Sequence, residues 1–164
     1  MSKIILQDLY EKQAELDETV HKNHGESYKT TKDKRMLALL VEIGEFANAT
    51  RCFKFWSIKP SESKERILDE FADGLHFFLS LGICINSTFK EYEIAEPSLD
   101  LTHQIIKTYT CIGKFVEDQS DANFKSAFGS FLDIIPLIDS NPDEIKDAYY
   151  KKLGENFHRQ ATNY

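Results

Sequence analysis

Apolar residues return at helical intervals along most of this chain. Between about Ile4 and His21, the residues Ile4, Leu6, Leu9, Leu16 and Val20, with Gln13 among them, fall near one stripe. Asn23-His24-Gly25 closes that segment. A polar connection, Glu26 to Thr31, leads to a second helix from about Lys32 to Cys52, with Met36, Leu39, Leu40, Ile43, Phe46 and Ala47 as its core stripe. After a loop from Phe53 to Pro60, Ser61-Glu62-Ser63 offers an N-cap with acid in the first turn, and a third helix runs from about Glu62 to Asn86. From Phe71 to Ile85 it is apolar nearly all round, which predicts a central position. Ser87 to Pro97 reads as a loop. A fourth helix, about Ser98 to Glu117, starts at a Ser-Leu-Asp cap, and a fifth runs from about Ala122 to Ile138 with Pro136 kinking or ending it. Asn141 as cap with Pro142 at the first position begins the sixth, to about Gln160. No stretch reads as a strand. The expected fold is all-α, a bundle of about six helices; without repeats, low-complexity tracts or linkers, residues 1–164 are expected to form a single domain.

Composition narrows the setting. Hydrophobic residues are 41% and charged residues 29%, which fits a globular chain and not a disordered one. The N-terminus reaches Gln7 and Asp8 without an apolar signal core, and the apolar run from Phe77 to Ile85 is too short to span a bilayer. Cys52, Cys84 and Cys111 are widely spaced in apolar contexts and read as buried free thiols. A cytoplasmic location is expected. The formal net charge of −7 opposes nucleic acid and anionic membrane as partners, and admits a small anionic substrate only where metal inverts the local sign.

Two acidic pairs, Glu42 with Glu45 and Glu70 with Asp73, interrupt apolar helical segments. A spacing of three puts both carboxylates of a pair on one helix face. One such pair is ordinary on a solvated surface. Two pairs facing each other within a core would need cations, and an oxygen-only donor set favours Mg²⁺. Asp73 and His76 also have the acid-x-x-His spacing of di-iron bundles, but Glu42 and Glu45 come with no matching histidine.

Three further groups qualify as candidates. In Phe53-Lys54-Phe55-Trp56-Ser57, the chain's one tryptophan either caps the core or stacks on a flat ligand, and Lys54 is either solvated or reaches a phosphate. Tyr149, Lys152, Asn156 and Arg159 follow one another by three or four residues on one helical face and present N–H donors suited to phosphate oxygens. Gln13 and Asp17, one turn apart, place an amide and an acid where a base edge could be read.

Taken together these stretches resemble the dimeric, all-α dUTPase family, a branch of the MazG-like NTP pyrophosphatases. The match runs through Gln13, Leu16 and Asp17, then Glu42 and Glu45 on to Thr50-Arg51-Cys52-Phe53-Lys54-Phe55-Trp56-Ser57, then Glu70 and Asp73-Gly74-Leu75-His76-Phe77. It ends with Tyr149, Lys152, Asn156, Arg159-Gln160 and Tyr164. The resemblance implies Mg²⁺-dependent hydrolysis of dUTP, and often dUDP, to dUMP by a homodimer whose active sites dimerisation completes. By position it makes Glu42, Glu45, Glu70 and Asp73 metal ligands, with Glu45 also preparing the attacking water. Lys54, Lys152, Asn156 and Arg159 would hold phosphates, and Gln13, Asp17, Trp56, His76 and Phe77 would form the nucleoside pocket. This chain departs from the pattern at Lys152-Leu153, where relatives tend to have Lys-Asn, and at Asn163-Tyr164, where they tend to end in Gly-Tyr. The alternatives are a pyrophosphatase for another nucleotide such as dCTP, and a non-catalytic helical scaffold or protein-binding module.

Overall fold

A computed structural model describes residues 2–163. Among them, six α-helices form the expected all-α bundle: α1 (Gln7–His24), α2 (Tyr28–Thr50), α3 (Lys64–Cys84), α4 (Leu101–Glu117), α5 (Asp121–Leu132) and α6 (Pro142–Ala161). Two short strands, β1 (Lys3–Ile5) and β2 (Glu91–Glu93), pair antiparallel with Ile4 opposite Tyr92. This small pair corrects only the reading that no stretch is extended. Three residues are too few for an alternating pattern to register, and the pair is set by Ile4 entering the core while Lys3 meets Glu91 at 2.7 Å outside.

Most helix ends follow local chemistry. The side chains of Ser63, Asp100, Ser120 and Asn141 each accept a hydrogen bond from a backbone N–H of the helix they precede. At α2, Ser27 and Thr30 form a reciprocal capping box, so the helix starts four residues earlier than the expected Lys32. Pro136 lies in a single 3₁₀ turn, Ile135–Ile138, because its ring cannot continue α5.

Helix α3 is the centre, packed against α1, α2 and α6. Phe71 stacks on Phe131 with centroids 4.1 Å apart, and Phe78 stacks on Phe128 at 4.7 Å. A Cβ at Gly74 would lie 3.0 Å from the Phe131 ring and 3.5 Å from Ile43, so glycine lets α3 close on both neighbours directly beside Asp73. The three cysteines are free, as expected, but half-buried instead of buried. Among the described residues no helix is long and apolar enough to cross a membrane.

Candidate active site

Helix α3 carries few polar residues in its apolar half, and these share one side. Asp73, His76, Phe77 and Ser80 follow at steps of three, one and three, and all four line a cavity of about 620 Å³, large enough for a small organic ligand. Gln13 and Asp17 from α1, Arg35 and Glu42 from α2, and Asn156 and Arg159 from α6 complete its walls.

At one end lies the acidic cluster. Glu42, Glu45 and Glu70 each bring a carboxylate oxygen to within 4.8 Å of the others. Glu42 Oε2 and Glu70 Oε2 are buried without any hydrogen-bond partner. Burial, reinforced by Asp73, Glu45 and Glu70, pushes the Glu42 carboxyl up to about 8. Burial also raises Glu70, although Arg66 one turn earlier forms an ion pair with its other oxygen. Unpartnered buried oxygens on converging carboxylates fit a hard divalent cation, whose charge would remove the repulsion and whose coordination would satisfy both atoms.

Asp73 stands slightly apart. It meets Lys152 at 3.3 Å, while Lys152 also meets Asp69 at 2.8 Å and Glu155 at 3.6 Å. Burial, which would lower the Lys152 ammonium, is outweighed by these carboxylates, and its pKa is raised. Burial raises Asp73 despite the lysine.

The other end of the cavity is a hydrogen-bonded layer. Gln13 Nε2 donates to Asp17 Oδ1 at 2.9 Å, and His76 Nδ1 lies 2.6 Å from Gln13 Oε1. Tyr149 donates to the same amide oxygen at 3.1 Å, and its ring stacks on the His76 imidazole with centroids 4.3 Å apart. Burial pulls His76 down to about 3, so the ring is neutral near pH 7.

Of the residues singled out by sequence, the cavity therefore gathers Gln13, Asp17, Glu42, Asp73, His76, Phe77, Asn156 and Arg159, with Glu45 and Glu70 adjoining through Glu42. It does not gather three of them. Lys54 and Trp56 sit on the loop between α2 and α3, outside the cavity wall, with Trp56 64% exposed and Phe55 92% exposed. Lys152 is buried among its acidic partners and is likewise absent from the wall. Tyr164 lies outside the described residues. Sequence reading passed over Arg35, Ser80 and Arg66. For Ser80 a signal existed, since it continues the Asp73–His76 stripe one turn further along an otherwise apolar helix.

A helical bundle that sets converging carboxylates beside a ligand-sized cavity is the architecture of an all-α nucleotide hydrolase. The model of the dUTPase family matches residues 5–164, nearly the whole chain, and the chain belongs to that family, whose members are dUTP diphosphatases. Comparison with curated proteins found no match.

Proposed function

We propose that this enzyme hydrolyses dUTP, and also dUDP, to dUMP in a Mg²⁺-dependent reaction at the cavity between α1, α2, α3 and α6. The observation that carries this reading is the pair of unpartnered, buried carboxylate oxygens on Glu42 and Glu70, converging with Glu45 at the cavity's edge. Glu42, Glu45, Glu70 and Asp73 would hold Mg²⁺. Bound there, the ion offsets the negative charge that builds on the phosphoryl oxygens and lowers the pKa of coordinated water.

The remaining work falls to the protein's own side chains. Glu45 is exposed, unlike Glu70, so a water from solvent can reach it, and its carboxylate orients that water and accepts its proton. Asn156 and Arg159 line the cavity from α6 and donate N–H groups to the phosphates. Lys152 joins them after leaving Asp73, whose carboxylate then serves the metal. Phe77 packs against the sugar and base.

Gln13 and His76 belong to the base pocket. Uracil presents one ring N–H between two carbonyls. Gln13 lines the cavity and offers its amide to a base carbonyl, and His76, paired with the Gln13 amide oxygen through Nδ1, holds that amide in place. Lys54 and Trp56 come from a second copy of the chain: their loop is exposed here, with Ile58 fully solvated, and a homodimer would lay it across the partner's cavity.

The test is pyrophosphate release from each dNTP with Mg²⁺ and again with EDTA. Preference for dUTP, and loss of both turnover and nucleotide binding on chelation, is expected. Preferential dCTP hydrolysis would remove the uracil assignment and leave the acidic cluster intact.

A further inference from the structure

The ammonium of Lys152 is enclosed among carboxylates. It is buried, and its ion pairs are with Asp69 at 2.8 Å, Asp73 at 3.3 Å and Glu155 at 3.6 Å. The two aspartates lie one turn apart on α3, on the stripe that His76 and Ser80 continue. Asp73 lines the cavity, whereas Asp69 stands one turn beyond it and lines a separate groove between α3 and α6, with Leu68 and Lys151. Lys152 therefore bridges a carboxylate inside the cavity to one outside.

Each oxygen of Asp69 has its own partner. Oδ1 takes Lys152, and Oδ2 takes Arg66 Nη1 at 3.0 Å. Arg66 also pairs with Glu70, so one aspartate touches both cations that neutralise the carboxylates proposed for the metal. The two cations differ in what their release would require. A metal that takes Glu70 releases Arg66 into water, since that side chain is 53% exposed. A metal that takes Asp73 releases an ammonium on a side chain only 5% exposed, and a buried cation without a partner is strongly destabilising.

We propose that Asp69 is a positioning residue that receives Lys152 when metal takes Asp73: it keeps the ammonium paired in both states, and so lets the acidic cluster bind Mg²⁺ without stranding a buried charge. An ammonium has three N–H groups, so one can stay on Asp69 while another turns to a phosphate of the nucleotide. The place of a phosphate-binding lysine is thus set from outside the cavity, by a carboxylate that touches neither metal nor substrate. The inference rests on the reading of Asp73 as a metal ligand.

Isothermal titration of Mg²⁺ into nucleotide-free wild type, Asp69→Asn, Lys152→Met and the double variant tests it. Asp69→Asn should weaken Mg²⁺ binding about tenfold on its own, and only about twofold in the Lys152→Met background, where no ammonium is left to receive. Equal weakening in the two backgrounds would overturn the inference, since Asp69 would then act on the metal by its charge alone. Wild-type affinity in Asp69→Asn would overturn it as well.

A crystal structure of the wild-type enzyme with Mg²⁺ gives a second answer that needs no variant to fold. Lys152 Nζ is expected within hydrogen-bond distance of Asp69 and withdrawn from Asp73. Lys152 still paired with Asp73, or apart from both aspartates, would overturn the inference. Mg²⁺ bound without Asp73, or no Mg²⁺ bound at all, would remove the metal reading itself and the inference with it.

Discussion

Lys152 Nζ lies 3.3 Å from Asp73 Oδ1 and is itself buried, so a cavity-lining carboxylate is neutralised from behind by the protein's own cation. Asp69 shares the same ammonium at 2.8 Å. Lys152→Met would leave two partly buried carboxylates uncompensated. In metal-free protein it is expected to cost about 3 kcal/mol of unfolding free energy. Mg²⁺ should recover part of that loss by taking over Asp73. Urea unfolding of wild type and variant, each with Mg²⁺ and with EDTA, gives the four values needed; a loss unaffected by Mg²⁺ would place Asp73 outside the metal's reach.

Arg66 plays the corresponding part for Glu70, at the solvent edge of the cluster. Its guanidinium pairs with Glu70, with Asp69 at 3.0 Å and with Glu62 at 3.4 Å. If Glu70 holds Mg²⁺ as proposed, a half-exposed cation paired with it competes with the metal. Arg66→Gln should therefore tighten Mg²⁺ binding, by up to about fivefold, the equivalent of about 1 kcal/mol for a solvent-screened pair. Isothermal titration of Mg²⁺ into both proteins measures it, and weaker binding in the variant would show that Arg66 supports the site instead of competing for it.

His76 gives the fold a specific acid sensitivity. Its pKa is about 3 in the folded protein and near 6.5 in the unfolded chain. Between these values the unfolded state binds the proton and the folded state does not, so stability is full above about pH 6.5 and falls as pH drops toward 3. The slope is about 1.4 kcal/mol per pH unit for one proton. His76→Gln should lose stability near pH 7 but show a flatter profile from pH 6 to 4. Parallel slopes for the two proteins would mean that the imidazole is protonated in place.

If Lys54 acts in the partner's site, two dead variants should rescue each other. Glu45→Ala breaks the acidic cluster, and Lys54→Ala breaks the loop. In a mixed dimer of the two, one site has both defects and the other has neither. Random mixing then restores about a quarter of wild-type activity, because half the dimers are mixed and each carries one intact site. Mixtures that stay inactive would place Lys54 in the site of its own chain.

The acidic pairs were legible from sequence because they violate their surroundings. Glu70 and Asp73 open a run that is apolar all round, and a charge there demands a partner. Helix ends were legible where the cap is a single residue, as at Asn141, and less so at α2, where Ser27 and Thr30 act only as a pair across what reads as a polar connection. Arg35 was not legible. It ends the charged run Lys32-Asp33-Lys34 in the first half of α2, and it pairs with Ser80, 45 positions later, which pattern within a helix cannot report. Lys152 reads as one cation in a donor stripe, yet its three acidic neighbours include two from α3. The exposed loop from Phe53 to Ile58 shows the converse: aromatic residues that sequence reads as core or platform stand in solvent, since a single chain offers them nothing to cover.

The stripe along α3 has a metric consequence. Glu70, Asp73, His76 and Ser80 fall within eleven residues of one helix, about 15 Å of rise from first to last, and a helix neither stretches nor bends over that length without breaking hydrogen bonds. The separation between the carboxylate end of the cavity and the imidazole end is thus a fixed gauge, cut into the backbone and independent of side-chain rotamers. One residue inserted between Asp73 and His76 would turn the far end by about 100° and carry His76 and Ser80 off the cavity together. An enzyme gauged in this way measures the span of whatever it holds, and a family built on it would tolerate changes in loops far more readily than a single insertion in this one helix.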